Sequence, residues 1–388
     1  MACMPVLDKK RVTLYILMLI LLFAPVFLLL PAGLSEIAGT IGFRLMDKSG
    51  LEVSMSPVNP AVKELSADPS NKLLFKAVVR NSKGDSVKGA RIAVEVSEGL
   101  GTLVPMASAT SADGSVLMQY SAPFLGADAF KNGNPLVKIT AGIPGSDIKT
   151  DFSFKLVRVP VIFIHGYKAS PEIFSSMQEY LDGKGFVTKG LNYASEEGVA
   201  AGAAELGVFI DKFKADFLGQ GVQVGRLDII AHSMGGLVAR YYTCSAGYPA
   251  RSDVNKIIFI SVPQTGSPLA PLGLKYYNDK GINDLIPDGT LFTKVFPSLI
   301  NGGLNSAIQV GSILGQFDEV VGTENASLEK WGIKTELFDV GDSNFTVDNL
   351  LSGKIIEGAN HKVVLYNKKV FQRVEEMLGS SLPYPVRM

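Results

Sequence analysis

Cysteine is nearly missing: Cys3 and Cys244 are the only two among 388 residues. That excludes a disulfide-held scaffold, and neither thiol belongs to a cluster of metal-ligand type. Histidine is scarce too. His165, His232 and His361 are the whole set, which argues against a transition-metal site and narrows the search for a catalytic base. Charge of one sign is also lacking, because 37 Lys and Arg balance 37 Asp and Glu. No broad field therefore favours nucleic acid or an acidic surface. Internal repeats and low-complexity tracts are absent, and nothing in the sequence calls for a cofactor or a metal.

What is present is a globular composition, 47% hydrophobic and 19% charged. The length allows two ordinary domains and an appendage. The appendage is a run from Val12 to Leu34 without a charged residue. As a helix it would span roughly 34 Å, enough for a bilayer core. Lys9, Lys10 and Arg11 precede it, which favours residues 1–11 as a cytoplasmic tail and an exported remainder. The run reads as a transmembrane anchor or as a cleaved signal segment, with Pro25, Pro31 and Gly33-Leu34-Ser35 marking the second option. The catalytic region is then extracytoplasmic, periplasmic or extracellular: membrane-anchored in the first case, secreted in the second.

Residues 40–157 read as β-structure. One face carries Leu73, Phe75, Ala77 and Val79, and the period of two recurs in three further sets. These are Val116, Met118 and Tyr120; Val137, Ile139 and Ala141; and Phe152, Phe154 and Leu156. Arg91 to Val96 adds Ile92, Val94 and Val96 as an inward face. Asn81 to Asp85 and Ala112-Asp113-Gly114 supply turns. Several short strands without a helix predict a sandwich of immunoglobulin size, held by apolar packing alone. The stretch Val79 to Ala90, with Thr110 to Gly114, resembles bacterial Ig-like domains of the invasin type. The resemblance implies a spacer, or a domain that binds a surface ligand.

From Arg158 to the C-terminus the pattern alternates. Strand-like runs are Val161–Ile164, Val187–Leu191, Leu227–Ile230, Ile257–Ile260 and Ile308–Leu314, with helix-like runs such as 171–184 and 197–218 between them. This predicts an α/β class fold, a parallel sheet flanked by helices. Within it, Leu227 to Arg240 carries the most information. A β-branched strand runs into Ala231-His232-Ser233-Met234-Gly235-Gly236 and then into a helix-compatible segment. A serine on that strand-to-helix turn is a nucleophile elbow, and Ala231 and Gly235 supply the small residues it needs on either side. His232 is expected to pack the turn.

Serine needs a base at neutral pH. His361 follows the strand candidate 353–357 and a short loop, and precedes a terminal helix, which makes it the candidate base. The third member must orient the imidazole. Asp318, directly after the strand from Ile308, is the first choice, with Asp339 and Asp342 as alternatives. Glu319 is expected to be a solvated neighbour. The insertion from Gln264 to Ser306 is rich in Leu, Ile, Phe and Tyr. It reads either as an apolar cap over the nucleophile or as a segment packed on the sheet.

The strand Val161–Ile164 ending in His165-Gly166-Tyr167 resembles the oxyanion-loop strand of α/β-hydrolase enzymes. The elbow, Val262 to Ala270, Asp284-Leu285-Ile286-Pro287, Gly315-Gln316-Phe317-Asp318 and the late His361 extend the likeness. Residues 158–388 resemble the compact bacterial triacylglycerol-lipase-like hydrolases. The resemblance implies a lipase or esterase acting through Ser233, Asp318 and His361 on a lipid or other ester. It assigns the oxyanion hole to the N–H groups of Tyr167 and Met234, with His165 bracing the loop. An acyltransferase, thioesterase, amide hydrolase or polyester depolymerase would use the same triad, and a non-enzymatic adhesion protein is a third class of reading.

Overall fold

The computed structural model describes residues 50–343 and 359–388. The Val12–Leu34 run and the strand candidate 353–357 lie outside them. Among the described residues no helix is long and apolar enough to cross a membrane.

The first unit is a two-sheet sandwich. Strands β1 (Leu51–Pro57), β3 (Lys72–Asn81), β6 (Ser115–Ser121) and β5 (Thr102–Pro105) form one antiparallel sheet in that order. The other holds β2 (Glu64–Ser66), β8 (Lys149–Val157), β7 (Leu136–Gly142) and β4 (Ala93–Glu98). Alternation decides which side chains meet. Leu73, Phe75 and Ala77 on β3 and Val116, Met118 and Tyr120 on β6 face Val137, Ile139, Phe154 and Leu156 across one shared core. Each such buried side chain contributes roughly 1.5–3 kcal/mol relative to exposure, so the sandwich stands without a disulfide. The inward face expected on Ile92, Val94 and Val96 is only half-buried. The reason is position, since β4 is an edge strand paired with β7 alone.

The sandwich does not end where the chain leaves it. A two-residue strand from the second unit, β11 (Val222–Gln223), pairs in parallel with β2 and becomes the edge of the second sheet. Gly221, at φ +86°, turns its carbonyl to accept the N–H groups of Lys63 and Glu64 at 2.7 and 3.0 Å. Beside it the Arg226 guanidinium grips the buried Asp68 carboxylate through Nε and Nη2. Burial alone would push Asp68 up, but Arg226 holds it below its ordinary value. Asn71 donates to the Gln223 carbonyl at 3.0 Å. On the same interface Arg158 lies between the rings of Phe130 and Phe186, at 4.5 and 4.6 Å.

The second unit is a parallel six-stranded sheet. Its order is β10 (Thr188–Leu191), β9 (Val161–Ile164), β12 (Leu227–His232), β13 (Val254–Ile260), β14 (Gln309–Gly315) and β15 (Glu336–Phe338). β9, β12, β13 and β14 are buried along their whole length, which is why apolar residues dominate them, with Asp228, Asn255, Lys256, Gln309 and Ser312 as buried polar exceptions. Both faces are covered. Ile162, Ile164 and Ile229 meet Leu206, Ile210 and Phe213 of α2 (Val199–Gly219). Val161, Phe163 and Ile230 meet Met177 and Leu181 of α1 (Ser175–Asp182), together with Val370 and Val374 of the C-terminal helix Lys368–Leu378. The chain runs from β9 outward to β10 and then returns to the opposite side of β9 for β12. That reversal is the topological switch point, and sites of this class open at the carboxyl ends of the strands there.

Candidate active site

Two carboxyl ends meet at the switch point. β9 delivers His165-Gly166-Tyr167, and β12 delivers Ser233 ahead of α3 (Met234–Cys244). Ser233 takes φ +54° and ψ −131°, a conformation that L side chains rarely adopt. Its N–H is fixed on the Ile260 carbonyl at 3.1 Å, and its carbonyl accepts from Gly236 at 3.0 Å. The turn is possible only because its neighbours are small. A Cβ on Gly235 would stand 2.4 Å from the Ile164 carbonyl oxygen, and one on Gly166 would stand 2.7 Å from the Ser233 Cβ. Among the described residues, the N–H groups of Tyr167 and Met234 have no acceptor.

His361 sits in a short helix, Ala359–Val363, which begins inside the loop expected just before it. Its Nδ1 lies 3.0 and 2.9 Å from the two carboxylate oxygens of Asp318. Asp318 follows β14, and its side chain is almost wholly buried; Oδ1 also accepts the N–H groups of Val320 and Val321 at 3.0 and 2.9 Å. Burial pushes this carboxyl up, but the His361 ring and the Val321 N–H together hold it below its ordinary value. An ionised carboxylate only accepts, so the His361 proton resides on Nδ1 and Nε2 is left basic. Asp339 and Asp342 are exposed; the Asp342 backbone is tied to Asn360.

His232 does more than fill the turn. Its Nε2 is 3.0 Å from the His361 carbonyl oxygen, and the two rings are 4.5 Å apart. A carbonyl cannot donate, so His232 carries its proton on Nε2 and braces the segment that bears His361. Burial first, then the neighbouring His361, pushes His232 down to about 3, so it stays neutral. His165 is also buried: its Nδ1 is 2.8 Å from the Gly166 carbonyl, and its ring stacks on Tyr193 at 4.5 Å. The reading of Glu319 as a solvated side chain needs correction. Its Oε2 accepts the His361 N–H at 3.2 Å, Oε1 is buried without a partner among the described residues, and burial raises its pKa. Helix α5 (Ala359–Val363) folds back over it, a contact between residues 42 positions apart that no local pattern announces.

The insertion 264–306 packs on the sheet, the second of the two expected roles. Ile282, Leu285, Leu291 and Phe296 are buried in the same core as the sheet. Leu269, Leu272, Tyr277 and Phe292 remain half-exposed. Its ends are pinned to α3 by Arg240, which donates to the carbonyls of Gly303 and Gln264 at 2.8 Å each. Burial lowers Arg240 to about 10, so it remains charged at neutral pH. In the middle, α4 (Lys280–Asp284) has its Asp284 carboxylate 2.8 Å from the first N–H of α2.

A parallel sheet with covered faces, a switch point and a left-handed serine between strand and helix define the architecture. The fold is of the α/β-hydrolase type. Residues 214–291 match the family described as PGAP1-like alpha/beta domain. No curated protein matches the chain. Among solved structures, the mature lipase BlEst2 of Bacillus licheniformis is 16% identical, with a TM-score of 0.42 over 57% of this chain and 92% of that one. Phospholipase PlaB of Legionella pneumophila is 18% identical, with a TM-score of 0.35 over 41% of this chain and 40% of the other. A metagenomic carboxyl esterase, MGS0156, is 13% identical, with a TM-score of 0.40 over 56% and 75%.

Proposed function

We propose that this chain is a serine carboxylic ester hydrolase, a lipase or esterase working through an acyl-enzyme. One observation carries the reading: the His361–Asp318 pair lies beside an elbow whose serine is held at positive φ. In the reaction Ser233 Oγ attacks the ester carbonyl carbon as its proton passes to His361 Nε2. Asp318 holds the ring in the required tautomer and stabilises the imidazolium. The N–H groups of Tyr167 and Met234 take the negative charge that develops on the carbonyl oxygen. Collapse expels the alcohol, which receives the proton from His361, and water then repeats the sequence on the acyl-serine. The half-exposed apolar residues of the insertion suit the acyl chain of a lipid or similar ester.

The sandwich is proposed to be an Ig-like unit, and Val12–Leu34 to tether the chain to a membrane with the catalytic unit outside the cytoplasm. Cell fractionation with a periplasm-dependent reporter fused after Met388 tests the second point; a soluble, cytoplasmic product would refute it. For the chemistry, a fluorophosphonate should label wild type and not Ser233→Ala. A p-nitrophenyl ester series of rising chain length should show turnover by the first and none by the second. Label on another residue would remove Ser233 from its role. Turnover of thioesters or transfer to alcohols, without net ester hydrolysis, would favour the acyltransferase or thioesterase reading.

A further inference from the structure

The oxyanion loop is tied to the insertion by a side chain that the proposed chemistry does not use. The Tyr167 N–H has no acceptor among the described residues, while its hydroxyl donates to Asp279 Oδ2 at 2.6 Å, across 112 positions of chain. Asp279 is the N-cap of α4, with Oδ1 accepting the Ile282 N–H at 3.0 Å. The Tyr167 ring lies against the first turn of that helix. Gly281 makes room for it, since a Cβ there would stand 2.8 Å from the ring. Tyr277 closes the other side, edge to face at 6.0 Å.

Lys168 completes the arrangement. Its φ of +48° bends the loop away immediately after Tyr167, and its N–H is held by Ser195 Oγ at 2.8 Å. Its Nζ pairs with Glu196 at 3.3 Å and Asp279 at 3.6 Å, over the rings of Tyr167 and Tyr277. Burial opposes the charge on Asp279, but Tyr167, the Ile282 N–H and Lys168 hold its carboxyl below the ordinary value. The loop therefore bears on the insertion at its tyrosine and on Ser195 at its lysine. The direction of the Tyr167 N–H is set by both.

We propose that Asp279 is a positioning residue for the oxyanion hole, acting through the Tyr167 hydroxyl. This rests on the serine-hydrolase reading above. The insertion is then part of the hole's geometry, and lifting α4 off the loop would disorganise the donor. An oxyanion donor acts in the transition state and hardly at all on the bound ester. Loss of the link should therefore appear in kcat rather than in KM.

The test uses the full chain and a short, soluble p-nitrophenyl ester, with circular dichroism and Tm for each variant. Tyr167→Phe and Asp279→Ala should each lower kcat by about 10- to 100-fold, the range set by a displacement of up to about 1 Å, with KM within about twofold. Asp279→Asn, which keeps an acceptor and a cap, should restore most of kcat. The double variant Tyr167→Phe/Asp279→Ala should be no slower than the slower single variant, because both remove one link. Folded Tyr167→Phe or Asp279→Ala with wild-type kcat would overturn the proposal, whatever happens to Tm. So would an additive double variant, or an Asp279→Asn as slow as Asp279→Ala. Wild type that turns over no ester and takes no fluorophosphonate at Ser233 would overturn the hydrolase reading instead, and this proposal with it.

Discussion

Gly235→Ala sets two rules against each other. In an ordinary helix interior the added methyl would stabilise by about 1 kcal/mol. Here it would stand 2.4 Å from the Ile164 carbonyl oxygen and 2.5 Å from that of His165, where ordinary contact begins near 3.4 Å. The backbones must part by roughly 1 Å, and β9 is laddered on both sides by β10 and β12. Overpacking of this kind costs about 1–3 kcal/mol, and more where backbone must yield. The clash should outweigh the propensity, leaving a net loss of about 1–2 kcal/mol. At about 2.1 cal/mol/K of unfolding entropy per residue, a chain of 388 residues then loses about 1–3 °C in Tm. The same displacement moves the loop carrying the Tyr167 N–H, so turnover of a soluble ester should fall about 100-fold. Gly219→Ala is the control, for its added Cβ meets nothing within 4 Å; it should keep full activity and equal or higher stability. Thermal unfolding and steady-state kinetics on the two purified variants decide the matter. A Gly235→Ala protein matching wild type in both Tm and kcat would refute the close-approach argument.

Asp318→Asn should lower kcat by up to about 10⁴, while Asp339→Asn and Asp342→Asn, at exposed positions, should change it less than tenfold; kinetics of the three on one ester check this. His232 titrates near 6.5 when unfolded and about 3 when folded. The unfolded chain therefore binds the proton first as pH falls, so this contribution is complete above pH 6.5 and is lost toward pH 3. The slope is about 1.4 kcal/mol per pH unit. Denaturant midpoints for wild type and His232→Gln across that window should diverge, with the variant flatter; parallel curves would dismiss the buried neutral imidazole. Asp68→Ala leaves Arg226 without its carboxylate at a half-buried interface and should cost about 3 kcal/mol. Calorimetry should show the whole transition moving to lower temperature, and an unmoved transition would discard the coupling.

Much of this was legible because the relevant pattern is local. Val161–Ile164 and Ile257–Ile260 announce buried strands by unbroken apolar runs, Leu227–Ile230 does so with Asp228 as its one polar residue, and each lies in the central sheet. The Ala231-to-Gly236 stretch announces a tight turn by its small residues, and Gly235 has no room for a Cβ. What stayed hidden depends on partners distant in sequence. Val222-Gln223 is too short to carry a period, and only Glu64–Ser66, far upstream, makes it a strand. Asp279 has the form of a helix cap, but nothing nearby indicates that its other oxygen holds Tyr167. Glu319 looks like any charge beside a loop until α5 comes down on it.

The shared edge strand also bears on how such a protein can be taken apart. Connectivity marks a joint at 158–160, between β8 and β9. Cooperativity does not respect that joint, since β11 belongs by chain to one unit and by hydrogen bonding to the other. A fragment beginning at Arg158 would carry away Val222, Gln223 and Arg226 with their partners removed. A fragment ending at Val157 would leave β2 with a bare edge, the kind of surface that recruits foreign strands. Recombination that exchanges the sandwich for an unrelated spacer would need to move Gly221 to Arg226 along with it. The inheritable module is therefore discontinuous.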